Sequence, residues 1–537
     1  MARNATLLCV PLHASSVEQT LYQIDKAKAG GADLVEIRLD LLENFQPHQD
    51  LEILLKDKKL PVLVTYRPKW EGGHFEGSEY ERLETLRLAM NFGADYVDVE
   101  LEAANDFISS VSGKKPENLK VIVSSHNYQS TPSFEDLRVL IARLVATGAD
   151  IVKIATTAID IKDVAHIFQA MMHCQLVLQI PVIGYVMGEK GLISRLLCPK
   201  FGGYFTYGIL EANKQSAPWE PTLRDLLDLY NIRWVGPDTQ VFGVIGNPIG
   251  HSKGPIVYNT TFKHVGYNGI YVHLLVDDLA VFLNTFAAPD FPAFSCGIPH
   301  KEAAVLCCDE VEPVAKCIGA VNTIVRRPRD GKLIGYNTDY YAAISAIEDG
   351  LRGSTAKCNI VNSPLEGKLL VVIGAGGAGK ALAYGAKVKG ARVVITDLIS
   401  DRAKNFASSV GADNITMAEL EDFHPEEGMI LANATPVGMQ PNIQETPIPK
   451  HALRYYALVF DAVYTPRNTR LLREAEESGA VPVSGMEMFV RQARGQFKHF
   501  TGLPGIVVPL QLGQLHHSIL LQPPCEGYHN CITNYNQ

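Results

Sequence analysis

The sequence predicts an α/β chain: a barrel of eight βα units, then a two-lobed α/β unit with a nucleotide-binding lobe. Three observations predict it. Short β-rich runs alternate with helix-length stretches through the first part of the chain. A strand, glycine turn, helix and strand follow one another in "LLVVIGAGGAGKALAYGAKVKGARVVITD". The length of 537 residues is too great for one hydrophobic core.

The barrel strands are read as "TLLCVPL", "LVEIRLDL", "PVLVTYR", "YVDVELE", "KVIVSSH", "IVKIATT", "PVIGYVMG" and "YFTYGIL", separated by stretches such as "SFEDLRVLIARLVATG". Eight such units in about 210 residues fit a TIM barrel near the low end of its size range. The segment "SAPWEPTLRDLLDLYNIRWVGPDTQ" reads as a short helix and connector, which closes a first domain at 1–234. A new alternation opens at "QVFGVIGNPIG" and forms a substrate lobe over 235–345, completed by C-terminal helices at about 495–525. A break at "LRGSTAKCNIVNSPLEGK" precedes a Rossmann-like lobe over 346–494. The tail "CEGYHNCITNYNQ" lacks apolar periodicity and is expected to be loose.

Hydrophobic content of 47% and charged content of 20% are those of a soluble globular protein. A net charge of −9 argues against non-specific binding to nucleic acid or anionic membranes. No apolar run approaches the roughly 20 residues of a membrane span. The ten cysteines are scattered without CxxC spacing, so neither a metal site nor a disulfide framework is expected. The start, "MARNATLLCVPL", enters a strand without an Arg/Ser-rich leader. A cytoplasmic monomer acting on small molecules is expected, or a plastid protein if a transit peptide has been removed.

In a TIM barrel, chemistry sits at the C-terminal ends of the strands. Glu36, Arg38 and Asp40 lie on strand two, Arg67 ends strand three with Glu71 beyond it, His126 ends strand five, and Arg195 follows strand seven. Lys153 lies inside strand six between Val152 and Ile154. Desolvation there is expected to lower its pKa and make a nucleophilic amine able to form an imine with a ketone, with His126 moving protons. A buried structural salt bridge is the alternative.

The pieces "EIRLD", "TYRPKWEGG", "SSHNY", "VKIATT" and "MGEKGLISR" together resemble type I 3-dehydroquinate dehydratase over residues 5–222. The resemblance implies that Lys153 forms the Schiff base and His126 is the general acid/base. It implies that Glu36, Arg38, Arg67, Glu71, Arg195 and Ser216 bind substrate, with Arg195 on the carboxylate. The family usually reads "SAPGQ" where this chain has "SAPWE", with Trp219 for a glycine and Glu220 for an amide. An anionic side chain near a carboxylate substrate repels it, so a weakened dehydratase is expected.

"SCGIPHKEAA", "GAVNTIV", "IGYNTDYYAA", "ANATPVGM" and "GMEMFVRQA", in that order over 240–520, resemble the shikimate dehydrogenase family. Joined to the barrel, the pattern resembles the plant-type bifunctional dehydratase–dehydrogenase. The resemblance implies Lys301 as acid/base and Asp339 as the carboxylate that orients it. Asn322 and Gln492 are expected to hold the ring hydroxyls or the carboxylate of the substrate, with Tyr464 beside them in the binding site. The family usually reads "SHS" where this chain has Gly250-His251-Ser252, and "TIPHK" where it has Gly297 to Lys301. Two hydroxyls that meet the shikimate carboxylate are thus expected to be missing, at Gly250 and Gly297, with Ser252 kept. Each lost hydrogen bond is worth about 1 kcal/mol. The vacated room would suit the tetrahedral carbon of quinate, and plant relatives with such glycines are quinate dehydrogenases. Gly254, beyond this pair, is assigned to the turn.

"GAGGAG", Gly374 to Gly379, stands between a strand and a helix, as pyrophosphate binding requires. Gly374, Gly376, Gly377, Gly379, Thr435 and Gly485 are expected to line the cofactor. The next strand ends in "VVITDLISDRA", where NADP-dependent relatives usually carry "NRT". Asp397 and Leu398 therefore predict NAD over NADP, because a carboxylate accepts from a ribose 2′-OH and repels a 2′-phosphate; Arg402 leaves room for some NADP use. The expected function is an NAD-dependent quinate dehydrogenase (quinate to 3-dehydroquinate) with weaker shikimate activity, fused to a dehydratase barrel. The alternative is a full bifunctional enzyme of the shikimate pathway using NADP.

Overall fold

The computed structural model describes residues 4–211, 220–353 and 362–504. Ser216, Trp219 and the helical segment expected beyond 504 lie outside the described residues.

The barrel strands are β1 (Leu7–Leu12), β2 (Leu34–Arg38), β3 (Val62–Thr65), β4 (Tyr96–Glu100), β5 (Lys120–His126), β6 (Ile151–Thr157), β7 (Val182–Met187) and β8 (Phe205–Tyr207). They form one parallel sheet in the order β7-β6-β5-β4-β3-β2-β1-β8. Tyr204 N donates to Val182 O at 2.7 Å and draws the two open edges together. The helices between them are α1 (Val17–Ala29), α2 (Pro47–Lys56), α3 (Glu79–Asn91), α4 (Leu101–Val111), α5 (Phe134–Ala146), α6 (Asp163–His173) and α7 (Leu192–Leu196). Local sequence fixes their starts. Ser16 and Ser133 cap α1 and α5, Ser78 with Glu81 closes a capping box on α3, and proline opens α2.

The substrate lobe contains β9 (Gln240–Gly246), α8 (Gly254–Val265), β10 (Gly269–Leu275), α9 (Leu279–Thr285), β11 (Ala293–Cys296), α10 (Ala303–Cys307), β12 (Glu310–Val311), α11 (Pro313–Ile318), β13 (Thr323–Arg326) and β14 (Leu333–Tyr336). Its sheet runs β10-β9-β11-β13-β14-β12. Helix α12 (Asp339–Arg352) leads to the nucleotide lobe, made of β15 (Leu369–Ile373), α13 (Gly377–Val388), β16 (Arg392–Thr396), α14 (Ser400–Val410), β17 (Asp413–Asn414), β18 (Met429–Asn433), β19 (Tyr456–Asp461), α15 (Arg470–Glu477) and β20 (Val481–Ser484). That sheet is parallel throughout, in the order β17-β16-β15-β18-β19-β20. Helix α16 (Gly485–Thr501) then returns to the substrate lobe, packing Met486, Phe489, Ala493, Phe497 and Phe500 against Phe242, Tyr258 and Phe262.

Two elements cross the expected boundaries. Helix α12 spans position 345 and buries Ala342, Ala343 and Ile347 in the nucleotide-lobe core. Helix α16 begins at Gly485, ten residues before the expected 495, because its apolar stripe already faces the substrate lobe there.

Barrel and substrate lobe share one apolar cluster, which includes Leu8, Val152, Ile245 and Phe294. Lys200 reinforces the junction: its Nζ donates to Pro237 O at 2.7 Å and Thr239 O at 2.8 Å and pairs with Asp290 at 2.9 Å. Among the described residues, no helix is long and apolar enough to cross a membrane.

Candidate functional sites in the barrel and between the lobes

The parallel register places Lys153, on β6, beside Ser124 of β5, two residues before His126. Lys153 is fully buried, and its Nζ donates to Asp98 Oδ2 at 2.7 Å and lies 3.9 Å from Glu36 Oε1. Tyr207 lies beneath it, with its ring centroid 5.3 Å from Nζ. Burial acts to lower the lysine pKa, but the carboxylates of Asp98 and Glu36 outweigh it and hold the pKa above its ordinary value. This corrects the expectation of a lowered pKa, which considered desolvation without the facing charges. The resting group is an ammonium ion that must lose a proton before it attacks a ketone.

Glu71 fixes His126 from two sides: the backbone N–H of His126 donates to Glu71 Oε1 at 2.7 Å, and Nδ1 lies 3.3 Å from the same oxygen. Burial, with Arg67 and Lys153 nearby, depresses the His126 pKa well below its usual value, so the ring is neutral near pH 7. Arg67 approaches Asp98 at 4.0 Å. Arg67 Nε, Asp98 Oδ1, His126 Nε2 and Tyr207 OH are all buried without a hydrogen-bond partner. Unpaired buried polar atoms gathered at one place are what a polar substrate satisfies.

The remaining barrel residues are engaged differently. Arg38 pairs with Asp40 through two bonds of 2.9 and 2.6 Å, and Glu36 accepts from Thr65 at 2.7 Å. Arg195 lies over the Tyr185 ring at 4.8 Å, with its Nη2 3.8 Å from Glu220 Oε1. The carboxylate that sequence reasoning placed near the substrate thus stands beside the arginine expected to hold the substrate's acid group.

Asp98 removal gives a pH test. With Asp98→Asn the lysine loses its nearest counter-charge, its pKa falls, and more free amine is present at a given pH. Borohydride trapping of 3-dehydroquinate at Lys153 should therefore reach half its maximum at a lower pH than in the unsubstituted protein, read by mass spectrometry. An unchanged midpoint would show that Asp98 does not control the amine.

The second site lies between the two other lobes. Lys301 follows β11, and its Nζ donates to Asp339 Oδ2 at 2.5 Å. Asp339 opens α12, where the helix dipole favours a carboxylate, and its N–H donates to Asn337 Oδ1 at 2.9 Å. Asn322 Nδ2 donates to Asp339 Oδ1 at 2.9 Å, so both carboxylate oxygens are oriented. Gln492 Oε1, from α16, stands 3.4 Å from Asn322 Nδ2. These residues line a cavity of about 500 Å³ with Ser252, Gly254, Gly297 and Tyr464. Tyr464 stacks on Phe489 at 4.7 Å, and burial raises its pKa.

Two family descriptions match in chain order: type I 3-dehydroquinase over residues 8–236 and the shikimate dehydrogenase substrate-binding domain over 244–324. An Arabidopsis thaliana protein named bifunctional 3-dehydroquinate dehydratase/shikimate dehydrogenase, chloroplastic, is 61% identical over 506 residues, covering 94% of this chain and 83% of its own. The chain belongs to the bifunctional 3-dehydroquinate dehydratase/shikimate dehydrogenase family. A Bacillus cereus protein named shikimate dehydrogenase (NADP(+)) is 35% identical over 269 residues, covering 49% of this chain and 93% of its own. A solved structure titled dehydroquinate dehydratase and shikimate dehydrogenase from S. pombe covers 94% of this chain and 97% of its own at 23% identity and a TM-score of 0.40.

The cavity continues across the cleft to Gly374, Gly376, Gly377, Thr435 and Gly485, with Asp397, Leu398 and Arg402 also on its wall. Gly374 has φ +104°, which favours glycine, and a Cβ on Gly379 would stand 1.8 Å from Gly374 O. Gly379 is thus needed for helix–turn packing and is not on the cavity wall. Chain and cradle fit a dinucleotide, with the glycine turn and the α13 N-terminus against the pyrophosphate. Asp397 accepts from Ala375 N at 2.7 Å and Ile399 N at 2.9 Å, so the carboxylate also ties the turn together. Leu398 is 83% exposed and brings no cation there. Arg402 and Lys380 both pair with Glu302 of the substrate lobe, Lys380 at 2.7 Å.

One expected substrate residue is misplaced. Gly250 is exposed and absent from the cavity wall, and a Cβ there would meet nothing within 4 Å. The turn before α8 carries Ser252 and Gly254 inward instead, so Gly254 is the glycine that faces the cavity with Gly297. A Cβ on Gly254 would stand 2.6 Å from Tyr271 Cε1, so the tyrosine ring has taken that room.

Sequence reasoning missed two groups. Asp98 carried a signal: a charge inside the barrel strand "YVDVE", as Lys153 lies inside "IVKIATT". Gln496 stands one helical turn after Gln492 and so shares its face. Its Nε2 donates to Asn322 O at 2.8 Å, and its Oε1 accepts from Tyr258 OH and Ser295 Oγ, both at 2.7 Å. Tyr271 OH donates to Ser295 Oγ at 2.6 Å and completes this buried floor.

Proposed function

We propose that the dehydrogenase half is a quinate dehydrogenase that prefers NAD, with weaker shikimate activity, and that the barrel is a dehydratase of reduced efficiency. The observation that carries the quinate reading is the bare wall at Gly297, opposite a loop on which Ser252 is left as the hydroxyl side chain and Gly254 brings none. A saturated ring carbon bearing both hydroxyl and carboxylate needs more depth than a planar one, and Gly297 leaves that depth open. Lys301 accepts the hydroxyl proton of the carbinol being oxidised and Asp339 orients both. Asn322, Gln492 and Tyr464 hold the ring. Gly374, Gly376, Gly377, Thr435 and Gly485 hold the dinucleotide, which when bound supplies the two-electron acceptor. Asp397 with Leu398 supports NAD, since neither side chain can hold a 2′-phosphate.

In the barrel, Lys153 forms the imine with 3-dehydroquinate once deprotonated. His126, neutral and with Nε2 unpaired, takes the proton from the carbon beside the imine and returns one to the departing hydroxyl as water leaves. The Glu220 carboxylate beside Arg195 supports reduced efficiency, because it competes with the substrate's acid group for that guanidinium. The relative named chloroplastic supports a plastid location as an alternative to the cytoplasm.

The second reading, a shikimate dehydrogenase using NADP, is favoured by two observations: the Tyr271 ring in the room beside Gly254, and Arg402 near the glycine turn. Steady-state kinetics with quinate and shikimate, each with NAD and NADP, separate the two. Quinate with NAD is expected to have the highest kcat/KM. Gly297→Thr should raise the ratio of shikimate to quinate kcat/KM about tenfold, as one or two regained hydrogen bonds would. A Cβ there would stand 3.1 Å from Ile245 O, so β9 must give slightly. Shikimate with NADP as the best pair in the unsubstituted enzyme would overturn the reading.

A further inference from the structure

One lysine at the mouth of the barrel reaches the substrate loop of the dehydrogenase. Lys190 lies between β7 and α7, and its Nζ donates to Ile159 O, just past β6, at 2.8 Å. The same Nζ pairs with Asp277, just past β10 in the substrate lobe. The other oxygen of Asp277 accepts from Asn247 Nδ2 at 2.9 Å, and Asn247 N donates to Ile298 O at 2.8 Å. Asn247 opens the turn that carries Ser252 and Gly254, and Ile298 follows Gly297. A hydrogen-bonded chain therefore runs from the end of the strand bearing Lys153 to two of the loops that wall the dehydrogenase substrate cavity.

We propose that Lys190 and Asp277 are positioning residues through which the barrel sets the geometry of the Asn247–Gly254 loop for binding the dehydrogenase substrate. This rests on the substrate lying against Ser252 and Gly297, and not on which cyclitol is preferred. The side chains of Lys190 and Asp277 are 24% and 44% exposed, so the pair adds little to folding stability. The shared apolar cluster and buried Lys200 hold the domains together without it. What the pair restrains is a short turn whose loop groups act only when aligned, and a loop that is competent part of the time binds more weakly in that proportion.

The test uses the full chain with Lys190→Met, Asp277→Asn and the exchanged pair Lys190→Asp with Asp277→Lys. Quinate and shikimate kinetics on the unsubstituted enzyme decide the proposed function. The variant-to-unsubstituted KM ratio, on whichever cyclitol is preferred, decides this inference. Each single variant should raise the cyclitol KM about three- to fivefold, with kcat and the dinucleotide KM unchanged, as loss of one exposed ion pair allows. The exchanged pair should bring the KM back toward its starting value. An unchanged cyclitol KM in both single variants overturns the inference. So does an equal rise in the dinucleotide KM, or the absence of any recovery in a folded exchanged variant.

Discussion

Lys301→Met should lower kcat for cyclitol oxidation by about a hundred- to ten-thousand-fold, the range of a lost acid/base group, with the dinucleotide KM little changed. Lys301 Nζ donates to one Asp339 carboxylate oxygen at 2.5 Å, and Asn322 Nδ2 donates to the other at 2.9 Å. Methionine keeps the length and apolar stem of the side chain and removes the group that takes the proton. It also leaves Asp339 without its cation on a wall where Asn322 remains, so the carboxylate stays oriented and the fold is kept. Asp339→Asn should cost less, because the lysine stays and only its orientation is lost. Dehydratase trapping at Lys153 should be unaffected by either variant and serves as the control for folding. A Lys301→Met enzyme within tenfold of the starting kcat would show that another group takes the proton.

Lys153→Met should abolish borohydride trapping and lower dehydratase turnover by about 10⁴-fold or more, as loss of a covalent nucleophile does. The geometry makes this sharp. Lys153 is fully buried, so its replacement cannot be covered by a surface lysine reaching in. The variant removes the nearest counter-charge of buried Asp98 and leaves only the longer Arg67 contact at 4.0 Å, which costs stability, so Lys153→Met is best combined with Asp98→Asn for a folded comparison. Glu220→Gln is the opposing control: freeing Arg195 from the carboxylate at 3.8 Å should raise dehydratase kcat/KM. Residual turnover of the Lys153→Met enzyme near the starting level would mean that the barrel does not work through an imine.

Much of the architecture was legible in the sequence because parallel βα units are written locally. Strands such as "KVIVSSH" and "IVKIATT" coincide with β5 and β6 over their whole length. Buried strands are continuous apolar runs, and the helices between them carry their own caps. The charged residues interrupting those runs, Lys153 and Glu36, were legible for the same reason. What failed was direction and partnership. Gly250 and Gly254 are four residues apart where a turn enters α8, and nothing local says which faces a cavity lined in part by helix α16, more than two hundred residues away. Asp98 was passed over although it lies in a strand, because its meaning depends on Lys153 across the barrel.

The residue types, their order and the periodicity of apolar runs determined by themselves that this protein is a βα barrel joined to a two-lobed α/β unit with a nucleotide-binding segment. Short-range sterics and burial act over a few residues, and a chain records them directly. Only the tertiary structure decided the charge state of Lys153, the glycine that faces the substrate, and the link from Lys190 through Asp277 to Asn247. Each of these depends on which side chains from distant segments come within a few ångströms, and electrostatic and steric effects at that range are set by closure of the barrel and lobes.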